Sequence, residues 1–243
     1  MGVADGGRGL GSEEQTGSQT AGGVCDMLTV MRAQGGAVML NKSDVAVIRE
    51  LAGRVAGIAA LPVQEEKRAL WRRLNALEPV RPMVMVDQIA WNEIQCGELA
   101  LRCANPECRA YETMLRRTLY QWDRFRVDRV VEPFIRVPKA VENTGFGIVV
   151  HEDTVATDPA NDVVGHRYIN QFQTEDDLEK IRTPVIAHDA DETARRLDAA
   201  HALFDGLLEV RPWGVDPYLS YWDPISTWMG VENALFALVE RPD

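Results

Sequence analysis

The chain has 243 residues, 46% of them hydrophobic, with 26 basic against 37 acidic side chains and a formal net charge of −11. That length and apolar content suffice for one large domain or two small ones and exclude disorder throughout. The acidic balance opposes phosphate-backbone binding, which needs Lys and Arg to neutralise phosphates, so nucleic acid is not an expected partner.

Residues 1–38 are rich in Gly, Ser, Thr and Gln and show neither helical nor strand periodicity. They carry too little apolar surface to offset the entropy of ordering, and a disordered tail is expected. Met27, Met31 and Met39 lie in or just after it, so translation starting near Met39 is a working hypothesis, with the folded part spanning 39–243.

From Ser43, Val45, Ile48, Ala52, Val55 and Ala59 recur at helical spacing. A second helix follows Pro62, with Leu70, Trp71, Leu74 and Leu77 on one face. Pro82-Met-Val-Met-Val86 is short, apolar and bounded by breakers, which predicts a strand buried on both faces and ending at Asp87. Glu98–Cys103 is a weaker strand candidate. Asn105-Pro106 reads as an N-cap followed by a first-turn proline. It opens a long helix with Tyr111, Leu115, Thr118, Leu119 and Trp122 in a stripe.

Arg129–Ile135 is the next strand candidate, interrupted by Glu132 and Pro133, and a proline there ends hydrogen bonding in a central strand. The turn at Asn143–Gly147 and the polar stretch His151–Gln173 predict a long excursion, with a hairpin through Ile148–Val150. Thr174 and Asp177 have capping spacing before a short helix. Asp191 begins a longer helix, with Ala194, Leu197, Ala200 and Phe204 inward and Gly206 closing it. Leu207–Arg211 reads as a further strand. An aromatic loop (Trp213, Tyr218, Tyr221, Trp222) and terminal helices follow it.

No apolar run reaches the roughly 18 residues of a membrane helix, and no basic-then-apolar signal opens the chain. A cytoplasmic protein with no membrane partner is expected. Cys25, Cys96, Cys103 and Cys108 make neither a disulfide framework nor a Cys-x-x-Cys ribbon, so reduced thiols and no metal centre are expected. The acidic crowding between Val149 and Asp198 is read as a solvated surface. Dinucleotide, nucleotide and serine-hydrolase motifs are missing.

Set in order, strands alternating with helices predict an α/β fold with its ligand site at the carboxyl ends of parallel strands. The run from Leu74 to Asp243, with Leu61–Lys67 ahead of it, resembles the amino-terminal part of the uroporphyrinogen decarboxylase-like superfamily, near its corrinoid-dependent methyltransferases. The stretches that carry the resemblance are Arg81–Val86, Arg117–Trp122, Val130–Arg136, Thr144–Gly147, Trp222–Ile225 and Gly230–Glu232. It implies part of a (β/α)8 TIM barrel with two leading helices, too few strands being present to close a barrel.

The family's decarboxylases carry Pro-Val-Trp-x-Met-Arg-Gln-Ala-Gly-Arg, whose arginines suit a polycarboxylate. The matching stretch here is Pro82–Trp91, in which Gln88 is kept but Asp87 and Trp91 replace the arginines. An acid there repels such a substrate, so porphyrinogen decarboxylation is disfavoured.

In the methyltransferase branch the resemblance implies zinc held by a His and two Cys late in the barrel, beyond Asp243, activating a thiolate that accepts a methyl group from a corrinoid. The expectation is therefore a truncated protein. Its full form would be a corrinoid- and zinc-linked methyltransferase acting on a small molecule, with a corrinoid protein as partner. The alternatives are a decarboxylase or a non-catalytic interaction module that oligomerises through open sheet edges.

Glu132, near the place of the decarboxylases' site aspartate, and Asp87 are the candidate catalytic carboxylates. Glu132 either faces the barrel mouth or simply pairs with a neighbour such as Arg136. Gln88, Trp91, Arg136 and, in the excursion, His166 are candidate ligand contacts. Arg211, Trp213, Tyr218 and Trp222 follow a strand end, where aromatics with a cation suit a flat or anionic ligand, or else pack loop against helix.

Overall fold

The computed structural model describes residues 40–156, 164–214 and 220–241. The proposed tail and the boundary at residue 38 lie outside that set.

Local signals place the helices. Asn41 caps α1 (Lys42–Ala59), its side chain accepting from the Asp44 N–H at 2.7 Å. Pro62 occupies the first turn of α2 (Pro62–Asn75). The Asn105 side chain accepts from the N–H groups of Glu107 and Cys108 at the start of α3 (Pro106–Arg124). Such caps satisfy amide donors that have no partner within the helix.

The expected strand Pro82–Val86 does not form. Its backbone meets the rest of the chain through Val84, which exchanges hydrogen bonds with Asp128, and Val84 and Met85 are about half exposed. Glu98–Cys103 is not a strand either. A 3₁₀ turn occupies Gly97–Leu99, and the N–H groups of Arg102 and Cys103 bond to the Glu112 carboxylate on α3 instead of to a neighbouring strand.

The next expected strand is displaced. The Val131 N–H is held by Gln64 Oε1 at 2.9 Å and Pro133 has no N–H to give, so β1 runs over Phe134–Pro138. It continues into β2 (Ala140–Asn143). The expected hairpin lies further along the chain, as β3 (Glu152–Ala156) against β4 (Val164–Tyr168). In the short 3₁₀ helix Glu175–Lys180 the Asp177 carboxylate accepts from the N–H groups of Gln173 and Thr174. β5 (Ile186–Asp189) pairs antiparallel with β2 and leads into α4 (Ala190–Phe204), capped by Asp189. Gly206, at φ +79°, follows that helix.

Leu207 and Leu208 still bond back to the Phe204 carbonyl, so β6 starts later than expected, at Glu209–Trp213. It pairs parallel with β1 in the register Phe134–Glu209 to Pro138–Trp213. Two helices follow, α5 (Trp222–Met229) and α6 (Val231–Glu240), hinged at Gly230 with φ +78°.

The molecule is thus mixed α/β. Each of its sheets has two strands, and no barrel closes among the described residues. The core joins Ile48, Leu51 and Val55 of α1, Tyr111, Leu115 and Leu119 of α3, and Leu203 and Phe204 of α4 to Ile135 and Val137 of β1. Helices therefore cover one face of the parallel pair. Two buried carboxylates hold this layer together. Asp44 accepts from the N–H groups of Ala104 and Asn105, and Glu112 accepts from Arg102, Cys103 and Arg116. Both are satisfied by the fold itself, as buried charge requires. No described helix is long and apolar enough to cross a membrane.

Candidate functional site

Strand geometry sends alternate side chains to opposite faces. Because Ile135 and Val137 enter the core, Phe134, Arg136 and Pro138 stand on the face that the core helices leave uncovered. The parallel register brings Glu209, Arg211 and Trp213 beside them. Two guanidinium groups lie against two rings there, Arg136 at 3.9 Å from the Trp213 centroid and Arg211 at 4.0 Å from that of Phe134. Both distances are well inside the range of cation–π attraction.

The two arginines differ electrostatically. Arg211 donates to both oxygens of Glu209, at 2.8 and 2.6 Å, and this pairing raises the guanidinium's pKa and lowers that of the carboxyl. Arg136 has no carboxylate partner among the described residues. Glu132 adds a second acid close enough to act on Arg211. It pairs not with Arg136 but with Arg68 of α2, whose Nε and Nη2 both donate to Oε2, at 3.3 and 3.1 Å, while Oε1 receives no hydrogen bond from a described residue. β1 and β6 end together, the Lys139 N–H bonding to the Trp213 carbonyl at 2.8 Å. Trp213, the last residue of β6, therefore stands at the carboxyl end of a parallel pair, where open α/β sheets place their ligands, and Arg136, in mid-strand, reaches its ring.

Of the residues singled out from sequence, Glu132, Arg136, Arg211 and Trp213 meet on this face. The others do not join them. Asp87 is exposed and lies 3.6 Å from Arg129. Gln88 is exposed in the same segment. Trp91 packs edge-on to Tyr120 beside α3, under Arg117. His166 shares a hydrogen bond of 2.9 Å with Glu152 in the β3–β4 hairpin and stacks on Tyr168. Trp222 opens α5, 41% exposed. Tyr218, like Cys25, lies outside the described residues.

Phe134, Glu209 and Arg68 are site residues that sequence reasoning passed over. The alternation from Phe134 to Pro138 would have exposed Phe134 and Arg136 as a pair once the strand was started after Pro133.

Among the described residues no three His, Cys, Asp or Glu side chains converge to hold a metal ion. Cys103 and Cys108 are both buried; desolvation pushes their thiols up to about 12 and about 11, the reverse of what thiolate ligation needs. Comparisons of the chain with family models, with curated proteins and with solved structures give no match.

Proposed function

We propose that the protein binds a small anionic molecule at the carboxyl ends of β1 and β6, with Arg136 as the primary contact. The observation that carries this reading is the Arg136–Trp213 stack at 3.9 Å, a cation without an ionic partner among the described residues. A guanidinium held over an indole face by cation–π attraction still has N–H donors for a carboxylate, which it can engage through two parallel hydrogen bonds. Arg211, already neutralised by Glu209, braces Phe134 and contributes shape more than charge. Glu132, fixed by Arg68 through one oxygen, keeps the other as an acceptor for a proton or a cationic substituent.

The resemblance to the uroporphyrinogen decarboxylase-like superfamily extends the reading to an enzyme. In that reading the parallel pair and its helices are part of a larger barrel, the face bearing Arg136 is the barrel's interior, and the whole acts as a corrinoid- and zinc-linked methyltransferase. Zinc, when bound, would activate a thiol acceptor. The described residues do not fit that zinc, since no three His, Cys, Asp or Glu side chains converge among them.

The test is a titration with succinate followed by intrinsic tryptophan fluorescence. Saturable binding is expected, weakened about tenfold or more in Arg136→Gln, as loss of a charge-assisted hydrogen bond demands. Binding that is absent, or unchanged in Arg136→Gln, overturns the assignment.

A second reading, an interaction module that self-associates, is favoured by α6, whose Leu235, Phe236, Leu238 and Val239 are 52–80% exposed. Light scattering coupled to size exclusion separates the two readings. A monomer that binds succinate supports the first, and a concentration-dependent oligomer without binding supports the second.

A further inference from the structure

A second basic, aromatic cluster lies along α3, sharing no residue with the β1–β6 face. The segment Trp91–Leu101 lies over this helix through two short 3₁₀ turns and leaves a cleft of about 350 Å3 against it. That volume falls within the range of small-molecule sites, roughly 300–1,000 Å3. The chain carries a net charge of −11, yet the cleft is lined by Arg116 and Arg117 and by no acidic residue.

Arg116 is a built feature of this wall, its side chain being 8% exposed. Glu112 holds its Nε at 2.8 Å and the Glu98 carbonyl holds Nη1 at 2.8 Å. Nη2 is the remaining donor edge of a guanidinium that cannot swing away without breaking both bonds. Arg117 lies 4.9 Å from the centroid of the Trp91 ring, which Tyr120 supports edge-on at 5.8 Å. Leu99 and Leu101 supply an apolar wall. A fixed donor whose charge Glu112 balances, the further cation of Arg117 and a flat apolar surface are thus gathered in one cleft.

We propose that this cleft is a binding site for a flat, partly apolar anion of the aryl carboxylate class. The ring lies along Trp91 and the leucines, and the carboxylate meets Arg116 Nη2 and Arg117. The site is separate from the β1–β6 face and independent of the reading given to it.

Cys96 reports on occupancy because it lines the cleft and is partly exposed, whereas Cys103 and Cys108 are buried. Iodoacetamide labelling of the full chain, quantified peptide by peptide, gives the Cys96 rate, with free N-acetylcysteine in the same reaction as reference thiol. With 2-naphthoate at about ten times its dissociation constant, Cys96 labelling is expected to slow about tenfold by mass action, with the reference thiol unchanged. The uncharged 2-naphthamide should protect far less, a comparison that needs no variant. Arg117→Gln should remove the protection without changing the circular dichroism spectrum, and Arg136→Gln should leave it intact. Equal protection by acid and amide, equal slowing of Cys96 and the reference thiol, loss of protection in Arg136→Gln, or no protection at the solubility limit of naphthoate would each overturn the proposal.

Discussion

Arg81 and Asp128, 47 residues apart in sequence, form a two-point ion pair, with Arg81 Nη1 at 2.8 Å from Asp128 Oδ2 and Nη2 bonded to Oδ1. The Val84 N–H adds a third hydrogen bond to the same carboxylate, at 2.9 Å. This clip fastens the segment after α2 to the chain leaving α3, where a strand ladder was expected. Trp71 Nε1 and Lys67 Nζ bond to neighbouring carbonyls at Asp128 and Val127 and complete the attachment.

The clip makes stability depend on acid. Hydrogen bonds from Arg81 hold the Asp128 carboxyl down at about 2, below its ordinary 3.8. The unfolded chain therefore takes up this proton first as pH falls. The contribution is complete above pH 4 and is lost between about pH 4 and pH 2. Asp128→Asn is expected to cost about 2 kcal/mol at pH 7, from the lost charge-assisted bonds. Urea unfolding of the two proteins at a series of pH values checks this, because the gap between them should shrink as pH falls through the window. A gap that stays constant down to pH 2 would assign the clip no ionic role.

Gln64 is fully buried and joins two elements, its Oε1 accepting from the Val131 N–H at 2.9 Å. Replacing it by Leu keeps the volume but leaves that amide buried without a partner, at an expected cost of about 1–3 kcal/mol. Hydrogen exchange at Val131 should accelerate beyond what the global loss of stability explains. Retained protection there would mean that another acceptor moves in.

Glu112 receives two backbone N–H groups and the Arg116 side chain while fully buried. Glu112→Ala strands Arg116 in the core and removes the acceptor that shapes residues 102–103, so a loss of about 3–5 kcal/mol is expected. The thermal midpoint, compared with that of Glu98→Ala, gives the contrast. Glu98 is exposed, so its substitution should change the midpoint little.

The cysteines should label in two classes. Burial pushes the Cys103 thiol up to about 12 and the Cys108 thiol up to about 11, so at pH 8 almost no thiolate exists at either. Both are expected to resist alkylation in the native protein and to react only through unfolding, at rates that rise with denaturant. Cys96, partly exposed, should react without denaturant. Native labelling of Cys103 at the rate of Cys96 would contradict the packing of α1 against α3.

Helix starts were legible where the cap itself was read, as at Asn105-Pro106, because capping is local. The first helix was placed from Ser43 by its apolar spacing, without its Asn41 cap, and of the stripe expected on α4 Ala200 and Phe204 are buried and Leu197 is half-buried, whereas Ala194 is exposed and Thr193 and Leu203 are buried in addition. The α/β character was legible for the same reason, since periodicity belongs to single segments.

Strands were not, because a strand exists only if a partner accepts its hydrogen bonds. Pro82–Val86 and Glu98–Cys103 have strand-like composition, but the carboxylates of Asp128 and Glu112 take their N–H groups first. Gln64 and Pro133 likewise delayed β1 to Phe134.

The candidate site divides along the same line. Arg211 and Trp213 stood out as residues near a strand end, and Glu132 and Arg136 as residues around a strand-breaking proline. That Arg136 lies on Trp213 while Arg211 lies on Phe134 was decided by the parallel register of β1 and β6. Tertiary structure alone sets that register, because the two strands meet only when α4 packs its buried face against both.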